Sequence, residues 1–401
     1  MTAAARQSVP AHNDHRALID ACNTADAELH AIAGAFDFLL AISPVDTNEA
    51  MVAFMRGHAE QPPEFTYRTL AFDPAELRHR LHKIDLASLH EPLIEGLLLE
   101  KRRELDTQLH MLECRGEKGF KEHSQGLYGS VSDELLTAAK KILAVVRNDK
   151  GRQETVGAAE IKHRAEALVE HYRTQHPAFD PVIELRGDVA GLLVSYPKLL
   201  IDESAKVSQR RVDPLLCHEI SVHLLTGFNG KQQGLSIFST GLAGYEEIQE
   251  GLGVFAEWAV GGLTNARLRL LAGRVVAVHA MLAGAGFLEC YRILHHDCGI
   301  RPRRAFGIAA RVYRSGGLAK DAIYLRGFFR VMEWIADGGD LAPFWRAKIA
   351  MVHVPVMEQL FERGLLHEAQ LTPEFMLRRS AIERIRRYAA KPSLDLLFDA
   401  E

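Results

Sequence analysis

Two histidines and two glutamates in the middle of the chain have the residue types and spacing of a catalytic metal site. His218 and His223 flank Glu219 in the segment Cys-His-Glu-Ile-Ser-Val-His, and Glu250 follows 27 residues after His223 (250 − 223). Two imidazoles and two carboxylates are the ligands and the general base that a zinc peptidase needs. Zinc with three protein ligands leaves a fourth position open for water, which is the arrangement of a catalytic centre.

The spacing of the two histidines departs from that of the common zinc-peptidase helix. His218 and His223 lie five residues apart, whereas the usual His-Glu-x-x-His pattern has its histidines four apart on one helix face. In a regular α-helix, five residues turn the side-chain direction by roughly 140°, so both imidazoles reach one ion only where a π-type turn widens the helix. The alternative is a pair of core histidines bonded to backbone groups, and spacing alone leaves both interpretations open.

The residues around this motif predict a buried helix. Asp213-Pro214 has the sequence of an N-cap followed by proline at the first helical position, and Gly227 suits the C-terminal end. The apolar residues between them point almost all round the helix, which predicts burial on every side. Buried histidine and glutamate side chains need partners, because an unpaired buried polar group is strongly unfavourable.

A second helix is predicted over residues 244–258. Its apolar residues form one stripe, and Glu246, Glu250 and Glu257 lie on the opposite side. That acidic side is either a solvated face or, taken together with the histidine motif, the source of Glu250 as a third metal ligand. Gly251 and Gly253 disfavour a helix interior by about 0.5–1 kcal/mol each relative to alanine. We therefore expect another backbone, such as that of the histidine helix, to approach closely there.

Several segments of the chain resemble one bacterial family, whose members are often labelled flavohemoglobin expression-modulating QEGLA-motif proteins. The family looks related to the animal microtubule-associated tyrosine carboxypeptidases, zinc enzymes that remove the C-terminal tyrosine of tubulin. The resemblance covers roughly residues 20–375. The matching segments are residues 127–130, 218–223, 229–230, 241–247, 249–252, 257–263 and 311–327.

The resemblance implies a metal centre with an assigned role for each residue. His218 and His223 match the two zinc-binding histidines, Glu250 matches the third ligand, and Glu219 matches the general base. The sequence Gln-Glu-Gly-Leu-Gly ends in Gly253, where the motif that names the family ends in alanine. Ser-Val stands between the histidines where relatives commonly have Gly-Thr, which leaves the ligands intact. The tubulin substrate does not transfer to this chain.

Peptide hydrolysis at such a centre needs further polar groups. The oxyanion that develops on the substrate carbonyl needs a donor in addition to zinc, and Tyr324, Arg311 and Lys320 are the candidates, with Tyr324 assigned as catalytic. If the enzyme removes C-terminal residues, a cation must hold the substrate carboxylate, preferably an arginine that binds it at two points. The candidates for substrate binding are Arg311, Arg314, Lys320 and Arg211, with Arg210 beside them; each is alternatively an ordinary surface or ion-pair residue.

The composition is that of a globular protein and limits the classes of partner. The chain has 401 residues, of which 47% are hydrophobic and 25% charged, and a formal net charge of −4. This balance gives no electrostatic case for binding nucleic acid or an anionic membrane. Five scattered cysteines without metal-ligand spacing suggest reduced thiols and a cytoplasmic location.

The fold class that we predict is α+β and predominantly helical. Residues 181–201 read as strands with breaks at Arg186-Gly187-Asp188 and Tyr196-Pro197, which predicts a small antiparallel sheet beside the histidine helix. Residues 116–132 read as a loop. The predicted organisation is a disordered N-terminus over 1–12, a helical region over 13–115 and a zinc-metallopeptidase-like catalytic region over 116–401, the last two forming either separate units or one continuous domain.

The function predicted from these features is that of a zinc metallopeptidase, with Zn²⁺ as cofactor and a peptide or protein C-terminus as substrate. The zinc ligands and the base carry the enzyme class, whereas the carboxypeptidase direction rests on the resemblance. Two alternatives remain: a zinc amidase that acts on a different small substrate, and a non-enzymatic protein that modulates expression. The intact Glu219 argues against the second, because a structural zinc site needs no base.

Overall fold

The chain folds into a predominantly helical α+β structure, as predicted. The computed structural model describes residues 12–86, 89, 91–147, 154–189 and 191–397. The predicted disordered N-terminus lies outside these residues except for His12, where the first helix begins. The helices up to the sheet region are α1 (His12–Gly34), α2 (Phe38–Ala41), α3 (Thr47–Arg56), α4 (Pro74–Lys83), α5 (Pro92–Glu113), α6 (Lys118–Tyr128), α7 (Asp133–Val145) and α8 (Ala158–Gln175).

The second half of the chain carries the helices that form the candidate site. They are α9 (Gln209–Leu216), a π-helical segment (Cys217–Leu224), α10 (Leu225–Lys231), α11 (Ile237–Thr240), α12 (Glu246–Ala259), α13 (Asn265–Leu282), α14 (Phe287–Arg292), α15 (Pro302–Tyr313), α16 (Ile323–Ala336), α17 (Ala342–Arg346), α18 (Val354–Glu362) and α19 (Arg379–Ala390). Among these helices and those of the first half, none combines the length and apolar character needed to cross a bilayer.

The strands of the main sheet lie between α8 and α9, within the predicted region that precedes the π segment. The strands of the main sheet, in spatial order, are β2 (Val182–Arg186), β4 (Lys198–Asp202) and β3 (Leu192–Ser195). The short turn between β3 and β4 makes them the expected antiparallel pair, whereas β2 pairs with the other edge of β4 in parallel. A separate antiparallel pair joins β1 (Thr155–Gly157) to β5 (Lys206–Ser208), immediately before α9.

The π segment lies between two hydrophobic cores. The larger core contains Cys217 and Val222 together with apolar residues of the N-terminal helices and of α12, α13 and α16. The smaller core contains Ile220 and Leu224 with residues of α8 and the three-stranded sheet. Burial on opposite sides explains why apolar residues point all round this helix. The N-terminal helices share the larger core with the C-terminal half, and the proposed boundary between residues 115 and 116 stays a prediction.

The ends predicted for the histidine helix were wrong. The helix begins at Gln209, so Pro214 lies inside α9, and the helix continues past Gly227 to Lys231. Gly227 is required for packing, because a Cβ atom there would lie 2.6 Å from the ring of Tyr196. The predicted loop over residues 116–132 also contains helix α6, whose buried residues recur every fourth position at Phe120, Ser124 and Tyr128.

Candidate metal centre

The π segment brings the two histidines of the motif together. The helix widens to π geometry over Cys217–Leu224, which is the departure from a regular α-helix that their five-residue spacing requires. The imidazole rings of His218 and His223 have their centroids 4.9 Å apart and are nearly perpendicular, with an interplanar angle of 74°. The prediction of a local π turn is confirmed.

Glu250 of α12 faces both imidazoles. Its Oε2 atom lies 3.5 Å from Nε2 of His218 and 3.8 Å from Nε2 of His223, and the three residues can offer ligand atoms that all lie within 4.8 Å of one another. Ligands of a tetrahedral zinc ion, bound at 2.0–2.2 Å, are separated from one another by about 3.3–3.6 Å. The donor types and their separations therefore fit a single divalent ion.

Hydrogen bonds at the other ring nitrogens direct both Nε2 atoms toward Glu250. Nδ1 of His218 lies 3.0 Å from Oε1 of Glu257, and Nδ1 of His223 lies 3.3 Å from Oε1 of Gln249. That amide oxygen also accepts a hydrogen bond of 2.9 Å from the Thr226 hydroxyl, which identifies it as an acceptor. In each histidine Nδ1 faces an acceptor, which leaves Nε2 as the nitrogen that can bind a metal once it has released its proton.

Glu257 is a buried carboxylate with three hydrogen-bonding partners. Its side chain is fully buried and accepts hydrogen bonds from His218, from Arg211 at 2.5 Å and from Arg267 at 3.0 and 3.2 Å. Burial raises the pKa of Glu257, but the two guanidinium groups and His218 hold it well below its ordinary value. Arg211, a predicted substrate-binding residue, is thus placed with Glu257, and its predicted role stays a prediction.

The acidic side of α12 is paired with cations and is not a solvated face. Lys320 donates a hydrogen bond of 2.7 Å to Glu246 and lies 3.7 Å from Glu250, while Glu247 pairs with Arg326. Lys320 is buried, so both of its carboxylate partners are needed to balance its charge. Lys320, like Arg211, is a predicted substrate-binding residue, and this role stays a prediction. Its ammonium group lies nearest to Oε1 of Glu250, whereas the two histidines lie nearest to Oε2.

The ionisation of the centre follows from burial and from these neighbours. Burial lowers the pKa of His218, but the carboxylates of Glu250 and Glu257 raise it to about 10. Burial raises the pKa of Glu250, yet the two histidines and Lys320 hold it well below its ordinary value. Burial also raises the pKa of Glu219, against the opposing effect of both histidines. The ligand carboxylate therefore stays charged, and the candidate base is more basic than an exposed glutamate.

Two glycines of α12 allow close contacts, as the sequence predicted, but only one of them faces the histidine helix. A Cβ atom at Gly253 would lie 2.4 Å from Cε1 of His218, so this residue provides the space for the imidazole. A Cβ atom at Gly251 would lie 2.3 Å from the backbone of Gly327, so the backbone that approaches there belongs to α16 and not to the histidine helix. The glycines fix how α12 packs against both neighbours.

Tyr324 and Arg311 both interact electrostatically with Glu250 of the cluster. Burial and the charge of Glu250 raise the pKa of the Tyr324 hydroxyl to about 12, so the phenol keeps its proton at neutral pH. Arg311 binds Asp321 at two points, with hydrogen bonds of 2.7 and 2.9 Å, and its side chain is 38% exposed. Arg314 is buried and donates a hydrogen bond of 2.9 Å to Ser43.

Sequence reasoning missed Arg274, Arg267 and the supporting role of Glu257. Arg274 and Arg267 lie on α13, an otherwise largely apolar helix, and Arg274 is buried with its guanidinium 4.9 Å from the centre of the Tyr324 ring. An arginine inside a helix of buried apolar residues was the available signal, because arginine is rarely buried without a partner.

A large cavity lies outside the ligand cluster. It has a volume of about 880 Å³ and is bordered by the first residues of α12 and α16, including Glu246, Glu247 and Arg326, and by Tyr128 and Tyr388. His218, His223 and Glu250 do not border it. Within the cluster, His223 and Glu250 keep 16% and 15% of their side-chain surface exposed, whereas His218 keeps 4%.

The fold and the site together define a class of protein. It is predominantly helical, and its His-His-Glu cluster, a possible metal-binding group, shares a π-helical turn with the half-buried Glu219. The family model described as microtubule-associated tyrosine carboxypeptidase matches residues 52–392. The chain therefore belongs to this family, as the sequence motifs predicted. The label QEGLA-motif protein stays a prediction.

Comparisons with curated proteins and with solved structures give no further information on function. No curated protein matches the chain. The solved structure of a "putative lipoprotein" from Colwellia psychrerythraea is similar at 13% sequence identity and a TM-score of 0.41, over 84% of this chain and 69% of that one. This degree of likeness is too low to support any statement about the function of the present chain.

Proposed function

We propose that the chain is a zinc-dependent metallopeptidase of the carboxypeptidase type, which removes C-terminal residues from peptides or proteins. The observation that carries the proposal is the convergence of His218, His223 and Glu250 beside Glu219. The family name, which describes a tyrosine carboxypeptidase, supports the direction of cleavage. The residue preferred at the cleaved terminus is left open.

His218, His223 and Glu250 would hold the zinc ion, which when bound acts as a Lewis acid and lowers the pKa of a coordinated water to about 7. The donor set supports this assignment, because both imidazoles present Nε2 and the facing carboxylate is ionised. Glu257 and Gln249 orient the histidines, as hydrogen-bonding partners behind metal ligands do in other proteins.

Glu219 is the general base of the proposed reaction. It accepts a proton from the attacking water and passes it to the nitrogen of the leaving amine as the peptide bond breaks. Its side chain lies on the π segment next to both histidines, and burial raises its pKa above that of an exposed glutamate, which favours proton acceptance. A base of this kind contributes about 10²- to 10⁴-fold to the rate.

Tyr324 is the proposed donor to the carbonyl oxygen of the cleaved bond. Burial and the negative charge of Glu250 raise the pKa of its hydroxyl to about 12, so the hydroxyl stays protonated at neutral pH. Donation from a preorganised hydroxyl stabilises the negative charge that develops on that oxygen. Arg311, at the exposed edge of the same group, supports binding of a negatively charged substrate.

The test compares metal content and peptide cleavage in matched variants. We expect wild-type protein to bind about one zinc ion and to shorten peptides from the C-terminus, as measured by mass spectrometry. Glu219→Gln should keep the zinc and lose at least 10²-fold in rate, whereas His223→Ala should lose both. Arg379→Gln, which changes a side chain that is 93% exposed, is the control and should match wild type.

The same experiment separates the alternatives. A zinc-loaded wild-type protein that cleaves no peptide of a diverse library would favour the regulatory function. Cleavage restricted to small non-peptide amides, still dependent on Glu219, would favour an amidase. Full peptidase activity in Glu219→Gln would refute the assigned mechanism.

A further inference from the structure

A segment near the C-terminus runs along the helix that carries the two histidines. Residues 367–378, here called the tether segment, begin without regular secondary structure and continue into a short helical turn. Just after the histidine helix, the side-chain amide of Gln233 bonds both backbone groups of His367, at 2.8 and 3.1 Å. One turn earlier, the amide of Asn229 bonds both backbone groups of Leu371, at 2.8 and 3.0 Å. Both amides are buried, so these bonds are shielded from water.

Two further contacts lie closer to the start of the histidine helix. Arg378 donates hydrogen bonds of 2.6 and 2.9 Å to the carboxylate of Asp213 in α9. Between the two ends, the Glu374 N–H donates a hydrogen bond of 2.8 Å to the hydroxyl oxygen of Tyr172, and that hydroxyl donates one of 2.8 Å to Oγ of Ser221. The contact points advance along the helix as they go back along the tether segment, so the two run antiparallel.

One of these contacts reaches the π segment itself. Ser221 lies within Cys217–Leu224, between His218 and His223, and is fully buried. Tyr172 of α8 is fully buried as well and belongs to the smaller hydrophobic core. Through the Tyr172 hydroxyl, the backbone of the tether segment is therefore connected to a residue that stands between the two candidate ligands.

The π turn is a local departure from regular helix geometry and needs support from outside the helix. In an α-helix, residues five apart differ in direction by roughly 140°, so a return to α geometry would separate the imidazoles of His218 and His223. The hydrogen bond between Tyr172 and Ser221 is shielded from water, where such a bond is strong and an unpaired hydroxyl is most unfavourable. The bond is therefore suited to hold the π turn in place.

The residues that orient the imidazole rings act in a different way. Glu257 and Gln249 face the Nδ1 atoms of the two histidines and set the direction of each ring. They do not determine how the backbone between the two rings is coiled. Tyr172 contacts the segment between the ligands, so it acts on the separation of the two histidine backbones.

We infer that Tyr172 and Ser221 are positioning residues of the candidate metal centre: their hydrogen bond, anchored by the backbone of Glu374, holds the π turn at which His218 and His223 converge. The inference rests on the proposed function for the identity of the bound ion, but not for the geometry of the turn. Both residues act through the helix backbone, and neither is a catalytic residue.

The first test measures metal binding in three variants. Tyr172→Phe removes the hydroxyl and keeps the ring, and Ser221→Ala removes the other partner. Each should lower the zinc affinity by about 10-fold, the lower end of the range for residues behind metal ligands, because both act through the backbone. The visible spectrum of the Co²⁺-loaded protein, which reports the geometry of the ligands without any peptide cleavage, should change in both. The double variant should lose no more affinity than either single variant, because both substitutions break the same hydrogen bond.

Gln233→Met is the matched control. It removes two hydrogen bonds between the same helix and the tether segment, at a point beyond the π segment. It should lower the free energy of unfolding in urea while the zinc affinity and the Co²⁺ spectrum stay as in wild type. Equal losses of zinc affinity in Gln233→Met and Tyr172→Phe would indicate a general loosening of the fold and would overturn the assignment. If Tyr172→Phe fails to fold, Ser221→Ala tests the same bond.

Hydrogen exchange of the metal-free protein separates this inference from the proposed function. Amide protons of Cys217–Leu224 should exchange about 2- to 10-fold faster in Tyr172→Phe and in Ser221→Ala, as expected for the loss of one hydrogen bond, while α12 stays unchanged. If wild type binds no divalent ion, the proposed function fails and the exchange rates still decide the inference. If wild type binds zinc and cleaves peptides, but folded variants of both residues match it in zinc affinity and in exchange, the proposed function stands and the inference is refuted.

Discussion

Replacing Glu257 with glutamine tests whether this buried carboxylate organises the metal centre. The side chain is fully buried and accepts hydrogen bonds from His218, Arg211 and Arg267. Glutamine has nearly the same shape but no charge, and its amide group would point a donor at groups that are themselves donors. Glu257→Gln therefore removes the balancing charge of two guanidinium groups without creating a cavity.

The expected loss can be worked out from the burial of these partners. Breaking a buried ion pair costs about 3–5 kcal/mol because the remaining charge loses its partner. Arg211 and Arg267 keep 16% and 15% of their side-chain surface exposed, and Arg211 retains a 3.0 Å hydrogen bond to the carbonyl of Gly262. Residual solvation of this kind favours the lower end, about 3 kcal/mol.

Two measurements separate the effect on folding from the effect on metal binding. Urea unfolding of chelator-treated protein, followed by circular dichroism, gives the change in the free energy of unfolding. Calorimetric titration with zinc gives the affinity, which should fall by about 10- to 100-fold because the acceptor that orients His218 changes from a carboxylate to a neutral amide oxygen. Glu383→Gln, which breaks an exposed ion pair with Arg379, is the control and should change stability by less than about 0.5 kcal/mol. A loss below about 1 kcal/mol with unchanged zinc affinity would refute the reasoning, since both expectations come from the charge of Glu257.

Four further outcomes follow from the structure. Gly253→Ala should weaken zinc binding by about 10- to 100-fold, because the new methyl group would lie 2.4 Å from the His218 ring. Gly126→Ala is the control: this glycine is exposed and its Cβ would meet nothing within 4 Å, so the substitution should raise stability by about 0.5–1 kcal/mol. Zinc titration and urea unfolding check both variants. Tyr324→Phe should lower kcat by about 10²- to 10³-fold with zinc content unchanged, and an unchanged kcat would exclude the hydroxyl as the donor. Burial raises the pKa of Asp321, but the neighbouring guanidinium groups hold it well below the ordinary 3.8. The ionised carboxylate therefore stabilises the fold fully above about pH 3.8, and this contribution is lost as the pH falls further. Urea unfolding across pH 3–7 should give a flatter dependence of stability on pH for Asp321→Asn than for wild type. Chelation should lower the melting temperature and abolish peptide cleavage, and added zinc should restore both, because a ligand bound only by the folded state stabilises it.

The residues of the candidate metal centre were predictable because the spacing of most of them is local. His218, Glu219 and His223 lie within two turns of one helix, and the five-residue separation of the histidines could be matched to a π turn without knowing the rest of the fold. Glu250 followed from the periodicity of a single amphipathic helix together with the family motifs. The strands between residues 181 and 201 were also recognisable from local turn signals.

The supporting residues were not predictable in the same way, because their partners are distant in the sequence. The pair between Glu257 and Arg211 joins residues 46 positions apart, and helix α12 carries several acidic residues that spacing cannot rank. Arg274 was difficult to single out because most residues around it in α13 are buried and apolar. Pro214 misled the helix assignment, since a proline near a helix start is common but does not identify the first residue.

The geometry of the centre depends on a contact between two residues that have no chemistry of their own. Gly251 of α12 and Gly327 of α16 meet backbone to backbone: a Cβ atom on Gly327 would lie 1.9 Å from the carbonyl oxygen of Glu247. Helix α12 carries Glu250, and α16 carries Tyr324 within its first turn. Because a side chain at either glycine would force the helices apart, this contact sets the distance between the candidate ligand and the proposed donor. The glycine next to Glu250 in the motif is therefore explained by the position of α16, whereas the glycine two residues later is explained by the His218 ring. One short segment of α12 thus positions both the metal ligand and the residue that would act on the substrate carbonyl.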